Sequence, residues 1–369
     1  MKALVLAGGA GTRLRPITHT SAKQLVPIAN KPILFYGIED LVAAGITDIG
    51  VIVGETAAEI RAALGDGSAF GATMTYIPQD APLGLAHCVL IARDFLGDDE
   101  FVMYLGDNML EQGLDEFVDQ FVSSRRAADE PEVGSEPRRP VAQILLAHVD
   151  DPTAFGVAEI GPGGDVVSLV EKPADPPSDL ALVGVYMFDS LIHDAVAAIE
   201  PSERGELEIT DAIAWLVDNG HRVEHRVLEG WWIDTGKKDP LLECNRLVLE
   251  RVEPAMAGTL EGNSRLEGRV VIEEGARIVD SIVRGPAIIG RNTLVESSFI
   301  GPFTSVGDGC EVTDSELDHS VVLANSRISG VTRLVDSLIG RNAVVERGPR
   351  RPRASRMMLG DHSVVELEG

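Results

Sequence analysis

From Lys2 to about residue 250, short aliphatic and β-branched runs alternate with stretches in which apolar residues recur every three to four positions. The first read as buried strands and the second as amphipathic helices, and their alternation marks βα units around a mainly parallel sheet, an α/β, Rossmann-like architecture. The pattern predicts strands over residues 2–6, 48–53, 73–77, 101–105, 141–147 and 181–188. Helices are expected over 32–44, 56–64, 84–95, 114–124, 191–199 and 209–219, with Pro32 in a first turn and Gly45 placed as a stop. Residues 125–140, rich in charge, proline and small side chains, read as a mobile surface loop.

After about Pro254 the period changes. Ile282, Ile288, Leu294, Ile300, Val306 and Val312 fall at six successive positions six apart. With an aliphatic at any position roughly a quarter to a third of the time, such a run arises by chance on the order of once in a thousand or less. Leu266, Ile272 and Ile278 precede it in a shifted register, and Val322, Ile328, Leu334, Leu338 and Val344 follow after further slips. Period six predicts a left-handed parallel β-helix in which each six-residue side supplies one strand and one inward aliphatic. Two domains follow, residues 1–253 and 254–369. The narrow interior of such a coil disfavours rings, and of 17 aromatic residues only Phe299 and Phe303 lie beyond the boundary. The arginine-rich stretch 347–356 interrupts the repeat, either as a solvated loop or as a contact to an acidic neighbouring subunit, and residues 358–367 could return as a last strand.

Composition narrows the function. The 369 residues are 44% hydrophobic and 24% charged, an ordinary globular mixture. The net charge of −26 argues against coating nucleic acid or an anionic membrane, so any phosphate site must concentrate its cations locally. Cys88, Cys244 and Cys310 are odd in number and match no metal spacing, which fits a reducing cytoplasm. Residues 1–7 form a short apolar run without a basic region or cleavage site, so neither secretion nor membrane insertion is indicated.

The first strand runs into Ala7-Gly8-Gly9-Ala10-Gly11-Thr12-Arg13-Leu14. Glycines at this spacing let backbone N–H groups approach phosphate oxygens, although a tight turn would use them too. A dinucleotide fingerprint fails at Leu14, and a P-loop fails because Arg13 stands where its second glycine belongs. What remains is a glycine loop with an arginine suited to charge on a departing phosphate. Lys23 could add a point charge, or simply face solvent. Asp107 ends an apolar strand in Gly106-Asp107-Asn108, and Asp234 stands in the similar Trp232-Ile233-Asp234-Thr235-Gly236. Each could cap a turn; together they could share a magnesium ion with substrate phosphates.

These segments resemble the nucleotide-sugar pyrophosphorylases, and among them the long form of glucose-1-phosphate thymidylyltransferase. The resemblance spans residues 1–250 and also rests on Lys23-Gln24-Leu25-Val26-Pro27, Tyr76-Ile77-Pro78-Gln79, Pro82-Leu83-Gly84-Leu85-Ala86, Phe155-Gly156-Val157-Ala158-Glu159, Glu171-Lys172-Pro173 and Gly205-Glu206-Leu207-Glu208-Ile209-Thr210-Asp211. It implies that Gly8, Gly9, Gly11 and Thr12 cradle a triphosphate neutralised by Arg13 and Lys23. Gln79 and the backbone at Gly84 would read a pyrimidine edge, and Asp107 and Asp234 would hold Mg2+. Lys172 would take the sugar phosphate, while Asn108, Gly156, Glu171 and the backbone near Leu182 would contact the hexose. Phe155 departs from the tyrosine of many short-form relatives, which removes a hydroxyl contact.

The implied reaction joins dTTP and α-D-glucose 1-phosphate into dTDP-glucose and pyrophosphate by direct attack on the α-phosphorus. A phosphomonoester with a second pKa near ~6 is already mostly dianionic, so no general base is required. UTP remains an alternative donor, whereas Gln24 stands where adenylyl and guanylyl relatives carry proline. A bifunctional enzyme with added amino-sugar acetyltransferase activity is a further alternative, for which the repeat offers His319 and His362, both readable as turn residues. A noncatalytic nucleotide-sugar-binding subunit is disfavoured by the presence of Arg13, Lys23, Asp107 and Asp234. A homo-oligomer is expected, with the repeat domain serving assembly or regulation; removing it should change assembly more than the active site.

Overall fold

The computed structural model describes residues 1–9, 11, 14, 15, 17, 22–130 and 138–347. Among these, the chain forms β1 (Lys2–Leu6), β2 (Pro27–Ile28), β3 (Lys31–Pro32), α1 (Ile33–Ala43), β4 (Asp48–Val53), α2 (Ala57–Leu64), β5 (Thr73–Pro78), α3 (Leu85–Ile91), α4 (Arg93–Leu96), β6 (Phe101–Leu105) and β7 (Asn108–Leu110). There follow α5 (Asp115–Asp129), β8 (Pro140–His148), β9 (Gly156–Ile160), β10 (Val166–Glu171), β11 (Leu180–Phe188), α6 (Ile192–Ala198), α7 (Ile209–Asp218), β12 (Arg222–Val227), β13 (Trp232–Asp234) and α8 (Lys238–Leu249). Short strands then run from β14 (Ala255–Met256) to β30 (Val344–Glu346). No helix among the described residues is long and apolar enough to cross a membrane. Contacts divide the chain into two compact units, one of residues 1–10 and 34–232, the other of 11–33 and 233–369.

The first unit is built on a nine-stranded sheet in the order β10-β9-β11-β6-β1-β4-β5, with β8 bonded to both β11 and β12. β1, β4, β5 and β6 pair in parallel, and β11 runs antiparallel to β6 and β8. β1 is buried from Ala3 to Leu6 because both its edges are paired and both its faces covered, which is why it reads as a continuous apolar run. The expected strands and helices all occur, with two differences of detail: Pro32 lies in β3 rather than in a first helical turn, and the helix expected over 84–95 is two helices, α3 and α4.

β2, β3, β7, β9, β10, β12, β13 and α8 are additions. β10 is an edge strand with Val167 and Val170 exposed, so it lacks the clean alternation that betrays a strand. The expected loop over 125–140 is corrected in its first part, because α5 continues to Asp129. Arg125 is buried there, its guanidinium bonded to Glu100 at 2.8 Å, Asp189 at 2.9 Å and the Pro140 carbonyl at 2.5 Å. Two carboxylates neutralise the cation, so a charged stretch can hold a helix against the core. Residues 131–137 lie outside the described residues.

The second unit contains a left-handed parallel β-helix of three sheets with six, six and five strands. Its inward side chains are Ile278, Val283, Ile289, Val295, Ile300, Val306, Val312, Leu317, Val322 and Ile328. Strands pair mostly with partners 17 positions on, as Ile282 with Phe299 and Leu294 with Glu311. A coil therefore has two six-residue sides and one of five, and the strict period of six is corrected. Ile300, Val306 and Val312 do face inward, whereas Ile282, Ile288 and Leu294 stand one residue before the true inward positions. Ile288 is buried in a separate cluster with Ala29 and Leu249. The serines of one corner form a hydrogen-bonded ladder: Ser264, Ser281, Ser298 and Ser315 each accept a backbone N–H from the next coil, at 3.0–3.2 Å. The ladder thus satisfies buried backbone N–H groups at that corner.

Beside these coils, β2 and β3 make a hairpin whose two turn residues, Ala29 and Asn30, have φ of 45° and 61°. Left-handed values at both positions match the twist of a two-residue hairpin. Asn245 of α8 is fully buried; its Oδ1 accepts from the Ala29 N–H at 2.9 Å and from Ser305 Oγ at 2.7 Å, while its Nδ2 donates to the Phe303 carbonyl at 3.1 Å. Asn30 Nδ2 donates to the Val306 carbonyl at 2.8 Å. His319 occupies a corner with φ of 41° and pairs with Asp336. His362, the arginines beyond Arg347 and the expected strand over 358–367 lie outside the described residues.

Candidate active site

In the first unit, parallel strands end together. Ala7, just past β1, donates its N–H to the Ile52 carbonyl at 2.9 Å, and Gln79, just past β5, donates its own to Val53 at 2.8 Å. The carboxyl ends of parallel strands are where open α/β sheets bind ligands. Gly8 lies against Gln79: a Cβ there would stand 3.4 Å from Gln79 Oε1. The Gln79 Nε2 atom is 3.4 Å from the Gly84 carbonyl, 3.2 Å from His87 Nδ1 and 3.3 Å from Cys88 Sγ. Gly84 has φ of 103°, and a Cβ would meet the Leu207 carbonyl at 2.3 Å, so only glycine fits. Leu207 N–H bonds the Leu83 carbonyl at 2.7 Å, and Ala86 N–H bonds the Leu207 carbonyl at 3.0 Å.

A second group of side chains gathers around Glu171 at the end of β10. Its Oε2 accepts from Thr210 Oγ1 at 2.7 Å, and its Oε1 lies 2.9 Å from Lys172 Nζ and 3.1 Å from Arg204 Nη2. Gly156 admits this packing, since a Cβ would fall 2.6 Å from Thr210 Oγ1 and 2.7 Å from Leu182 Cδ1. Lys172 adopts φ of 43°, and its N–H bonds the Phe155 carbonyl at 2.9 Å. The Phe155 ring meets Trp232 edge-on at 5.2 Å, and Trp232 Nε1 donates to Asn108 Oδ1 at 2.8 Å. Burial, with Glu208 and Glu171 nearby, pushes the Asp211 carboxyl above the usual carboxylate range. Gly156, Glu171, Lys172, Leu182 and Asn108 are therefore brought together as a connected group. Thr210, Arg204 and Trp232 join it although sequence reasoning gave them no role. Thr210 and Trp232 stood inside quoted motifs, whereas nothing local singles out Arg204.

Asp107 follows the end of β6, where Gly106 N–H bonds the Leu6 carbonyl at 3.0 Å. In the second unit, residues Lys23–Leu25 form one short helical turn with Gln24 and Leu25 buried. Asp234 Oδ1 accepts the Gly236 N–H at 3.0 Å. Gly9 is exposed, Gly11 has φ of 61°, and Thr12 and Arg13 lie outside the described residues. No group of three or more His, Cys, Asp or Glu side chains that could hold a metal occurs among the described residues. A carboxylate such as that of Asp107 is the kind of ligand that suits a hard cation completing its shell with water and phosphate oxygens.

The family model for nucleotidyl transferases matches residues 2–251, a span that contains every one of these positions. The chain belongs to the nucleotidyl transferase family. It is 57% identical to a glucose-1-phosphate thymidylyltransferase of Streptomyces antibioticus over 368 residues, covering all of both chains. It is 45% identical to the low-salt glycan biosynthesis nucleotidyltransferase Agl11 of Haloferax volcanii, again across the whole of both. Among solved structures, a Bacillus anthracis chain assigned as a glucose-1-phosphate thymidylyltransferase, in complex with sucrose, matches with a TM-score of 0.61 and 34% identity. That match covers 69% of this nucleotidyl transferase and 98% of the other chain.

Proposed function

We propose that the chain transfers a deoxythymidylyl group from dTTP to α-D-glucose 1-phosphate, releasing pyrophosphate and forming dTDP-glucose. The observation that carries this reading is that residues 207–210 join two recognition groups. Leu207 fixes the loop at Leu83 and Gly84 beside Gln79, and three residues on Thr210 holds Glu171. This supports reading the Gln79–Gly84 group and the Glu171 group as a base reader and a sugar reader braced by one short segment.

In this reading Gln79 and the backbone at Gly84 take the pyrimidine edge, and Gly8, Gly9, Gly11 and Thr12 line the triphosphate. Glu171, Asn108, Gly156 and the backbone near Leu182 hold the hexose, and Lys172 holds its phosphate. The nucleophile is the phosphate oxygen of the sugar, which needs no base at neutral pH. The protein's work is to align two polyanions and offset their repulsion, a task assigned to Arg13, Lys23 and Lys172. Asp107 and Asp234 would hold Mg2+, which supplies charge neutralisation on the phosphates when bound. In the same reading residues 1–253 carry catalysis in the cytoplasm, and residues 254–369 serve assembly of a homo-oligomer or regulation.

Pyrophosphate release with glucose 1-phosphate and each of dTTP, UTP, ATP and GTP tests this assignment. Turnover chiefly with dTTP is expected. Turnover chiefly with UTP would move the donor within the pyrimidines, and preference for a purine would overturn the reading.

A further inference from the structure

His87 and Cys88 stand side by side at the start of α3, and both reach the carboxamide nitrogen of Gln79. Neither belongs to the sugar group or to any phosphate-binding position. The Cys88 side chain is buried and its thiol is pushed up to about 12, chiefly by burial, so at neutral pH it is an S–H. That S–H points to the Gly84 carbonyl at 3.6 Å, which leaves the sulfur lone pairs to accept from Gln79 Nε2. The Gly84 carbonyl can only accept. It therefore decides which end of the Gln79 amide faces it: the NH2 end is tolerated at 3.4 Å, and the oxygen end would be repelled. His87 in its Nε2–H tautomer offers Nδ1 as a third acceptor for the same NH2 group.

With the two N–H bonds of Gln79 shared among Gly84, His87 and Cys88, Oε1 is the end of the amide left on the side of Gly8, 3.4 Å from where a Cβ there would stand. An amide fixed this way presents an acceptor to an incoming base. Thymine and uracil carry a donor at ring N3, and cytosine carries an acceptor there. We infer that His87 and Cys88 are positioning residues that hold the Gln79 amide in one orientation and thereby select nucleotides with an imide N–H over cytosine nucleotides. This rests on the base-reading role proposed above for Gln79. It assigns the selectivity to two helix residues behind it rather than to Gln79 alone, since a free glutamine can turn either end toward the base.

The test compares His87→Leu and Cys88→Ala with the partner-restoring His87→Asn and Cys88→Ser, each checked for an unchanged thermal unfolding curve. KM and kcat are measured for dTTP and dCTP at saturating glucose 1-phosphate. Each loss variant is expected to raise KM for dTTP about five- to tenfold, in line with one modest hydrogen bond. KM should rise more than kcat falls, the preference for dTTP over dCTP should narrow by a similar factor, and KM for glucose 1-phosphate should stay within about twofold. His87→Asn and Cys88→Ser should recover most of the loss, and His87→Leu should add nothing in a Gln79→Ala background.

An unchanged dTTP/dCTP ratio in both loss variants, an equal rise in KM for both substrates, or full additivity with Gln79→Ala would overturn the inference. If Cys88→Ala does not fold, Cys88→Ser and the His87 variants still decide it. Calorimetric binding of dTTP and dCTP to the same proteins separates the two claims. Wild type that discriminates on binding yet releases no pyrophosphate would remove the proposed reaction and leave the positioning role standing.

Discussion

Thr210 Oγ1 donates to Glu171 Oε2 at 2.7 Å, linking residues 39 positions apart, and Gly156 is the residue whose missing side chain makes room for that bond. The hydroxyl fixes one carboxylate oxygen, while Lys172 and Arg204 share the other. Thr210→Val keeps the shape and removes the donor, so KM for glucose 1-phosphate should rise roughly tenfold, within the range of a bond to a charged group. Gly156→Ala places a methyl 2.6 Å from the hydroxyl and should lower kcat/KM for the sugar phosphate by about tenfold or more through overpacking. Initial rates at varied sugar phosphate check both; an unchanged KM in Thr210→Val would show that the bond is idle.

Asp107 is expected to act through its charge. Asp107→Asn is nearly isosteric but weakens a magnesium ligand, so activity should fall by roughly 100-fold or more, the order of one lost electrostatic contact to a reacting phosphate. Part of it should return as Mg2+ is raised, and chelation should abolish wild-type turnover reversibly. Rate measurements across a Mg2+ titration give the answer, and wild-type rates for Asp107→Asn would remove the metal role.

The buried amide of Asn245 binds the Ala29 turn, Ser305 and Phe303, so Asn245→Leu would orphan up to three buried groups. At about 1–3 kcal/mol per unsatisfied group, the second unit should lose several kcal/mol, visible as a lower Tm and as faster hydrogen exchange at Ala29. A wild-type melting curve would show that the hairpin is held mainly by the apolar cluster of Ala29, Ile288 and Leu249.

Acid should weaken the fold at His193 before it titrates most carboxylates. Burial, assisted by Arg93, holds the His193 imidazole below its ordinary value; its Nε2 bonds the Gly97 carbonyl at 3.1 Å and its Nδ1 is buried without a hydrogen-bond partner. Burial lowers His225 likewise. Between the depressed folded value and the unfolded value near ~6.5, only the unfolded chain takes the proton. Their contribution is therefore intact above about 6.5 and is lost as pH falls below it. Urea midpoints at pH 7.5, 6.5 and 5.5 should decline in that order, and His193→Gln should flatten the decline; equal slopes in mutant and wild type would exclude His193.

The sequence by itself determined what local periodicity encodes. Runs buried on both faces, such as residues 2–6 and 101–105, declared the parallel half of the sheet, and the loss of aromatics together with a near-six period declared the β-helix. Glycine turns and strand-end carboxylates marked the positions of Gly8 and Asp107 because their chemistry is carried by a few adjacent residues. Tertiary structure alone decided which aliphatics point inward, because one five-residue side in each coil shifts the register by one, and a single-residue shift turns a side chain from the interior to the outside. It also decided that the hairpin following Lys23 is held by Asn245, 216 positions from Ala29, and that Thr210, Arg204, His87 and Cys88 stand behind the recognised residues. Such bonds join segments remote in sequence. Their geometry is fixed by packing and by the need to satisfy buried polar groups, and neither leaves a local pattern to read.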